Sequence, residues 1–471
     1  MTVVLPGPEY RNLDPLRAHD IDLLVRGERG DVLNTMRHAE RLASVAAHTV
    51  ADRDLLGRLD DLVAMSGVEA VAAIEVIGSL IGDDADRRLD RLVHSDDPVL
   101  RRHAVWRLGA RRPLRSTIPA LVVEVQRGGI DTFHAHRTLR QWSSLDGAAV
   151  LRAITTELAV ADDEATRARL IDLLGAVPDR GTDEFLVDVA IDESEPASAR
   201  IAAIGALGDR PGRLTDTVLV ALAHDDGIVG AHAALALEAA RPLPRTRTDG
   251  GLRIAQLVMA EGLDGRLSRG GRGENGGVAS LLVSLGGALA DHPSVEHVVT
   301  IGRGSVHEAL LGPMADDRES SSFATMSIGD PARPVRGPGD AWEHVPAVER
   351  GLRRMLRLAG PIDVLHLRMA DVGTLVGAEV AADLGIATCF SLAPDPHNVI
   401  QSVEGRGELD DETFERLEIE QHLWMRARLI ERLGAEADRI ALFPRTTSLP
   451  FLDDLGRDQR ARAAVVAEGI D

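Results

Sequence analysis

The first half of the chain repeats itself, and a repeat of this length leaves few folds open. Setting Asp97–Ala104 against Asp163–Leu170 places Gly109 opposite Gly175, and the same frame takes Pro196 to Gly208. Further copies run from Gly67 to Gly78, Asp131 to Trp142 and Gly227 to Glu238, a period of roughly 30–33 residues. Each copy joins an Ala/Leu-rich helical run such as Ala199–Leu207 to a second such as Thr215–Leu222. One pair cannot bury its apolar face alone, so the period predicts neighbours that stack into an array. The Asp96-Asp97-Pro98 and Glu193-Ser194-Glu195-Pro196 openings suit helix starts, where carboxylates meet the positive end of the dipole and proline tolerates the first turn. An ordinary helical bundle is the alternative; the recurring phase of the small residue argues against it.

These repeats resemble short HEAT-like repeats, an α-solenoid, over about residues 20–240. The reading divides the chain into a helical repeat domain at 1–240, a linker at 241–251 rich in Pro and Gly, and a domain at 252–471. Past the linker, β-like runs (Ile254–Met259, Val298–Ile301, Phe323–Ser327, Asp363–Leu367, Ala387–Ser391, Arg439–Phe443) alternate with helical stretches (Val278–Ala290, Trp342–Leu358, Gly373–Leu384, Glu412–Leu433). That alternation predicts an α/β layer on a parallel sheet, whose ligands bind past the carboxyl ends of the strands.

Composition narrows the partners. A net charge of -21 argues against nucleic acid or an anionic membrane as the main partner. The chain contains no lysine, so any phosphate-binding side-chain cation here is an arginine. The single Cys389 cannot close an internal disulfide, and with no charged-plus-apolar leader in view the expected setting is cytoplasmic. No apolar run is long enough to span a membrane. No zinc-ligand spacing or nucleophile elbow stands out.

Three clusters carry the functional reading. Glu274-Asn275-Gly276-Gly277 precedes the helix at Val278, and paired glycines let backbone N–H groups approach an anionic ligand. The G-x-G-x-x-G string at Gly271–Gly276 is a poor dinucleotide fingerprint, because about ten residues part it from the strand. Asp363–Gly373 sets His366, Arg368 and Asp371 at a strand-to-helix junction. His366 as a buried strand histidine and Asp371 as a helix N-cap are the plain alternatives. Phe390–Asn398 ends the next strand and includes His397, a weak candidate set against a solvent-exposed histidine.

In order and spacing, these segments resemble the acceptor-side, N-terminal half of a retaining GT-B glycosyltransferase of the sucrose-phosphate-synthase-like, family-four type, a Rossmann-like domain. Asp363–Gly373 is similar to that family's H-x-H-Y-A-D-A-G, with Arg368 and Met369 replacing its second histidine and its tyrosine. Phe390–Asn398 stands where the family reads T-G-H-S-L-G-R, and its histidine is out of register. Arg445 falls where the family has an acceptor-facing arginine, and Ala463–Asp471 is similar to the segment that hands the chain to the donor domain. The resemblance implies sugar transfer from a nucleotide-sugar to an unidentified acceptor, with no cofactor and no obligatory metal. It places Glu274, Asn275, Gly276, Gly277, His366, Arg368, Asp371 and Arg445 at the substrate and phosphate site. It also implies that the nucleotide-binding half lies outside these 471 residues, following in a longer product or forming a separate chain, so that they are inactive alone. The rival is a non-catalytic scaffold, in which the repeats bind a protein partner and a degenerate transferase-like domain docks.

Overall fold

Aspartates and prolines open the helices where the repeat frame puts them. The computed structural model describes residues 15–24, 32–210, 212–239, 250–266, 276–315, 320–337, 339–392, 395–409, 411–442 and 457–466. The described residues fall into two compact units: one within Met1–Glu124, His134–Ala153 and Pro396–Met425, the other within Val125–Phe133, Ile154–Asp395 and Arg426–Asp471.

The amino-terminal helices are α1 (Val32–Ala46), α2 (Arg53–Val63), α3 (Gly67–Ser79), α4 (Asp83–Val93), α5 (Pro98–Leu108), α6 (Ile118–Gln126), α7 (Gly129–Leu158), α8 (Glu164–Gly175), α9 (Arg180–Ile191), α10 (Ala197–Gly208), α11 (Arg213–Leu222) and α12 (Ile228–Ala239). Asp97 accepts from Val99 N at 2.8 Å with Pro98 in the first turn, and Asp163 accepts from Thr166 N at 2.7 Å. The bond from Thr166 holds the Asp163 carboxyl below its ordinary range. The small residue at each helix end is where the next copy rests. A Cβ on Gly109 would stand 3.2 Å from Thr138 Oγ1; on Gly175, 2.5 Å from Ala206 Cβ; on Gly208, 3.0 Å from Ala236 Cβ. Alternate helices therefore touch, α1 on α3 and α3 on α5 in the first unit, α8 on α10 and α10 on α12 in the second. The Asp131 copy departs from the frame: it lies in α7, a longer helical stretch kinked at Asp146.

In the second unit the chain then builds one eight-stranded sheet: β1 (Leu252–Glu261), β2 (Val295–Gly304), β3 (Met314–Ala315), β4 (Ser321–Ser327), β5 (Val364–Arg368), β6 (Ala387–Ser391), β7 (Arg439–Leu442) and β8 (Ala463–Val465), in the order β3-β4-β2-β1-β5-β6-β7-β8. Every pairing is parallel except that of β3, a two-residue edge strand antiparallel to β4. All six predicted strands are present. β3 and β8 are too short to show an alternation in the sequence.

Helices α13 (Gly276–Ala290), α14 (Val306–Leu310), α15 (Val345–Leu358) and α16 (Val372–Leu384) accompany the sheet, and β1 records which face each takes. Gln256 donates to Leu282 O of α13 at 3.2 Å, and Val258 clusters with Ala279 and Leu282. Leu257 and Met259, one residue out of phase, meet Gly377 and Gly373 of α16. The period-two alternation thus buries β1 under a helix on each side.

Between β6 and β7 come α17 (Pro396–Gly405), α18 (Asp411–Gln421) and α19 (Leu423–Glu436). The single helix expected over Glu412–Leu433 is two helices, broken at His422, whose φ is 55°. Glu418 forces the break from within: its carboxylate accepts from Trp424 N at 2.8 Å and lies 3.1 Å from His103 Nε2. Trp424 in turn donates through Nε1 to Glu75 at 2.9 Å. Burying that tryptophan and pairing these carboxylates outweighs one continuous helix. In the same unit Glu404 accepts from Val32 N and Glu415 from Gly67 N at 3.0 Å, capping α1 and α3 with side chains distant in sequence. Among the described residues, no helix is long and apolar enough to cross a membrane.

Candidate functional site

Strands β1 and β5 lie side by side at the centre of the sheet. The connection from β1 leads to α13 on one face, and that from β5 leads to α16 on the other. This divergence is a topological switch point, and the carboxyl ends of the strands at such a point are the usual ligand position in open α/β sheets.

The tip of β5 supplies the polar groups. Leu365 and Leu367 face Gly377 of α16, so His366 and Arg368 lie on the opposite face, the one covered by α13. His366 registers with Gln256 on β1 and Cys389 on β6, and Arg368 with Ser391. The His366 Nε2 lies 2.7 Å from Ser391 Oγ. Burial, with the Arg368 charge beside it, lowers the His366 pKa to about 4. The ring is therefore neutral at pH 7, fixed by a hydroxyl, and not a source of positive charge. A lateral polar row, Thr300–Gln256–His366, thus crosses three neighbouring strands beneath an otherwise apolar face.

The turn after β5 is strained. Met369 holds a φ of 82°, a conformation that costs a non-glycine residue about 1–3 kcal/mol and concentrates at functional sites. Three bonds hold it. Thr374 Oγ1 donates to Arg368 O at 2.6 Å, Asp371 accepts from Thr374 N at 2.9 Å, and Arg426 Nε donates to Ala370 O at 3.2 Å. Burial pushes the Asp371 carboxyl up and the Arg426 guanidinium down, while their mutual attraction opposes both shifts. Asp371 is a helix N-cap, the plain alternative of the sequence reading.

The candidate residues part company here. His366, Arg368 and Asp371 share the β5 tip. Gly276 and Gly277 form the first turn of α13, which starts two residues earlier than expected, and a Cβ on Gly277 would meet open space. The first turn of that helix offers backbone N–H groups on the face that carries His366 and Arg368. His397 is a correction: it is neither solvent-exposed nor on a loop, but 3% exposed in the first turn of α17, in the other unit. Pro396 and Ile400 are buried in the same helix, and His397 is buried with them. Glu274, Asn275 and Arg445 lie outside the described residues, as do the closing segment at 467–471 and most of the expected linker, 241–249.

Sequence reasoning passed over Ser391, Gln256 and Arg426. Gln256 carried a signal, a lone amide inside the apolar run Ile254–Met259. Arg426 carried none, since it reaches Ala370 from a helix of alternating charges 56 residues on. Chemically, a buried guanidinium, helix N–H groups and a neutral imidazole can hold an anionic or hydroxylated group. Among the described residues no cluster of His, Cys, Asp and Glu is arranged to hold a metal ion. No family model matches the chain, and no curated protein matches it.

Proposed function

We propose that the α/β part is the acceptor-side, Rossmann-like half of a retaining, nucleotide-sugar-dependent glycosyltransferase, and that the helices before it form a HEAT-like stack offering a protein-binding surface. The observation that carries the reading is the coincidence, at the β1/β5 divergence, of the Asp363–Gly373 motif with the strained Met369 turn. The α13 amino end and Arg368 would hold the acceptor's anionic or hydroxyl groups. His366 would orient by hydrogen bonding and would not donate a proton as a cation. A second nucleotide-binding domain, in cis or in trans, would hold most of the donor, and these amides and arginines would then stabilise the departing diphosphate. Cytoplasmic placement goes with this reading.

One observation favours the scaffold reading instead: His366, Arg368 and Asp371 are only 7%, 4% and 6% exposed. The experiment that separates the two is calorimetry of the full chain and of Gly277→Val against a panel of hexose phosphates. Gly277→Val has room for its side chain, so the fold should persist while backbone approach to a ligand is blocked. Binding by the parent and not by the variant supports the transferase reading; no binding by either leaves the scaffold.

A further inference from the structure

One face of the repeats in the second unit is already occupied. Arg333 lies 2.9 Å from Asp172 of α8, Arg350 is 3.0 Å from Asp209 at the end of α10, and Arg354 is held by Glu238 of α12. Helix α15 and the segment before it therefore cover the side made by α8, α10 and α12. The side made by α9 and α11, which lie against each other, stays open to solvent along its outer residues.

On that open side one pattern recurs. Val160 just past α7, Ile191 at the end of α9 and Val220 in the last turn of α11 are 69%, 51% and 47% exposed. Each is followed closely by two exposed acids: Asp162-Asp163, Asp192-Glu193 and Asp225-Asp226. Glu184, Asp188 and Asp216 are also exposed on α9 and α11, against exposed Arg213. From Ile154 to Ala239 there are 17 acidic residues and six arginines, a net -11 out of the chain's -21. Three of those arginines are closed in ion pairs, Arg167 with Glu195, Arg169 with Glu343 and Arg210 with Asp183. Single exposed apolar residues are ordinary. The same placement in three successive turns, each beside a pair of acids, is a surface with its own chemistry.

We propose that this row of turns is a docking surface for a lysine- or arginine-rich amphipathic helix of a partner protein. The inference rests on the stack reading given above and adds the chemistry of the partner. Apolar residues of the partner helix cover Val160, Ile191 and Val220, and its cations meet the acid pairs. Stacked helices stand about 8–10 Å apart, so three turns span about 20 Å, the length of a helix of about 13 residues. A second copy of this face would bring like charge to like charge, and nucleic acid or an anionic membrane is repelled in the same way.

Three fluorescent peptides of about 18 residues and one helical pattern test this by anisotropy with the full chain, at about 0.15 M salt: lysine with leucine, glutamate with leucine, and lysine with serine. The lysine–leucine peptide should bind saturably and at least tenfold more tightly than the other two. Glu193→Arg with Asp226→Arg, both at exposed positions, should weaken it at least tenfold. Asp54→Arg with Asp83→Arg, an equal change of net charge at exposed positions of the first unit, should leave it within twofold. Should the first pair fail to fold, Val160→Ser with Val220→Ser carries the same expectation of loss. Absence of saturable binding, equal binding of the glutamate–leucine or lysine–serine peptide, or equal loss in the first-unit pair would overturn the proposal. None of these results bears on the stack itself, which fails instead if Gly175→Ala leaves α8 and α10 undisturbed in hydrogen exchange.

Discussion

The contacts at the helix-terminal glycines allow the stacking of the helices to be tested by adding one methyl group. In Gly175→Ala the new Cβ would stand 2.5 Å from Ala206 Cβ. Carbon atoms rest at about 3.5–4.0 Å, so α8 and α10 must part by roughly 1 Å. Overpacking of this kind costs about 1–3 kcal/mol, against a helix-propensity gain of at most about 1 kcal/mol. Gly175 is the last residue of its helix, which shrinks the gain further. The net expectation is a loss of about 1–2 kcal/mol. Gly208→Ala, with Ala236 Cβ at 3.0 Å, should fall within about 1 kcal/mol of neutral. Gly57→Ala is the control: it lies inside α2 with nothing within 4 Å, and should stabilise by about 0.5–1 kcal/mol. A chain of this size need not unfold in two states, so native-state hydrogen exchange read by mass spectrometry is the suitable assay. Peptides from α8 and α10 should exchange about tenfold faster in Gly175→Ala, and those from α2 slower in Gly57→Ala. If Gly175→Ala slows exchange as Gly57→Ala does, the helices do not meet through these glycines.

Three further expectations follow from the buried groups. His366, lowered to about 4, takes up its proton later than an unfolded histidine does as the pH falls. Its contribution is complete above about pH 6.5 and is lost as the pH falls towards 4, on the order of 3 kcal/mol. His366→Gln should flatten that slope in denaturant melts run from pH 7 to 4; an unchanged slope would mean the ring is not neutral and buried. Glu418→Ala strips the acceptor from His103 and Trp424 N, and should cost about 3 kcal/mol or more, seen as faster exchange in α3, α5 and α18. Leu207→Asp places a charge at a fully buried position of α10 and should open that helix locally, at several kcal/mol; a thermal melt equal to the parent's would refute the repeat phase.

Much of the fold was legible because periodicity survives in a single sequence. The strands from Ile254 to Phe443 announce themselves by short apolar runs between glycine and proline punctuation, and the helix starts by Asp97 and Asp163. Illegible were features set by partners far along the chain. The break at His422 depends on Glu418, Trp424 and Glu75 meeting across more than 300 residues. Likewise, Glu404 and Glu415 look like ordinary surface charge until they are seen at the amino ends of α1 and α3. At the site, residue types were readable and their surroundings were not. His366 was named, but its bond to Ser391 and its neutrality come from register and burial.

The most direct test of the transferase reading is calorimetry of the 471-residue chain and of Arg368→Leu, against hexose phosphates and against uridine, guanosine and adenosine diphosphate sugars. The account predicts that the parent binds a hexose phosphate, that Arg368→Leu loses this binding at unchanged helical content, and that neither binds a nucleotide-sugar at micromolar concentration. Micromolar binding of a nucleotide-sugar that survives Arg368→Leu would contradict it, because the donor site would then lie in this chain and away from the β5 tip.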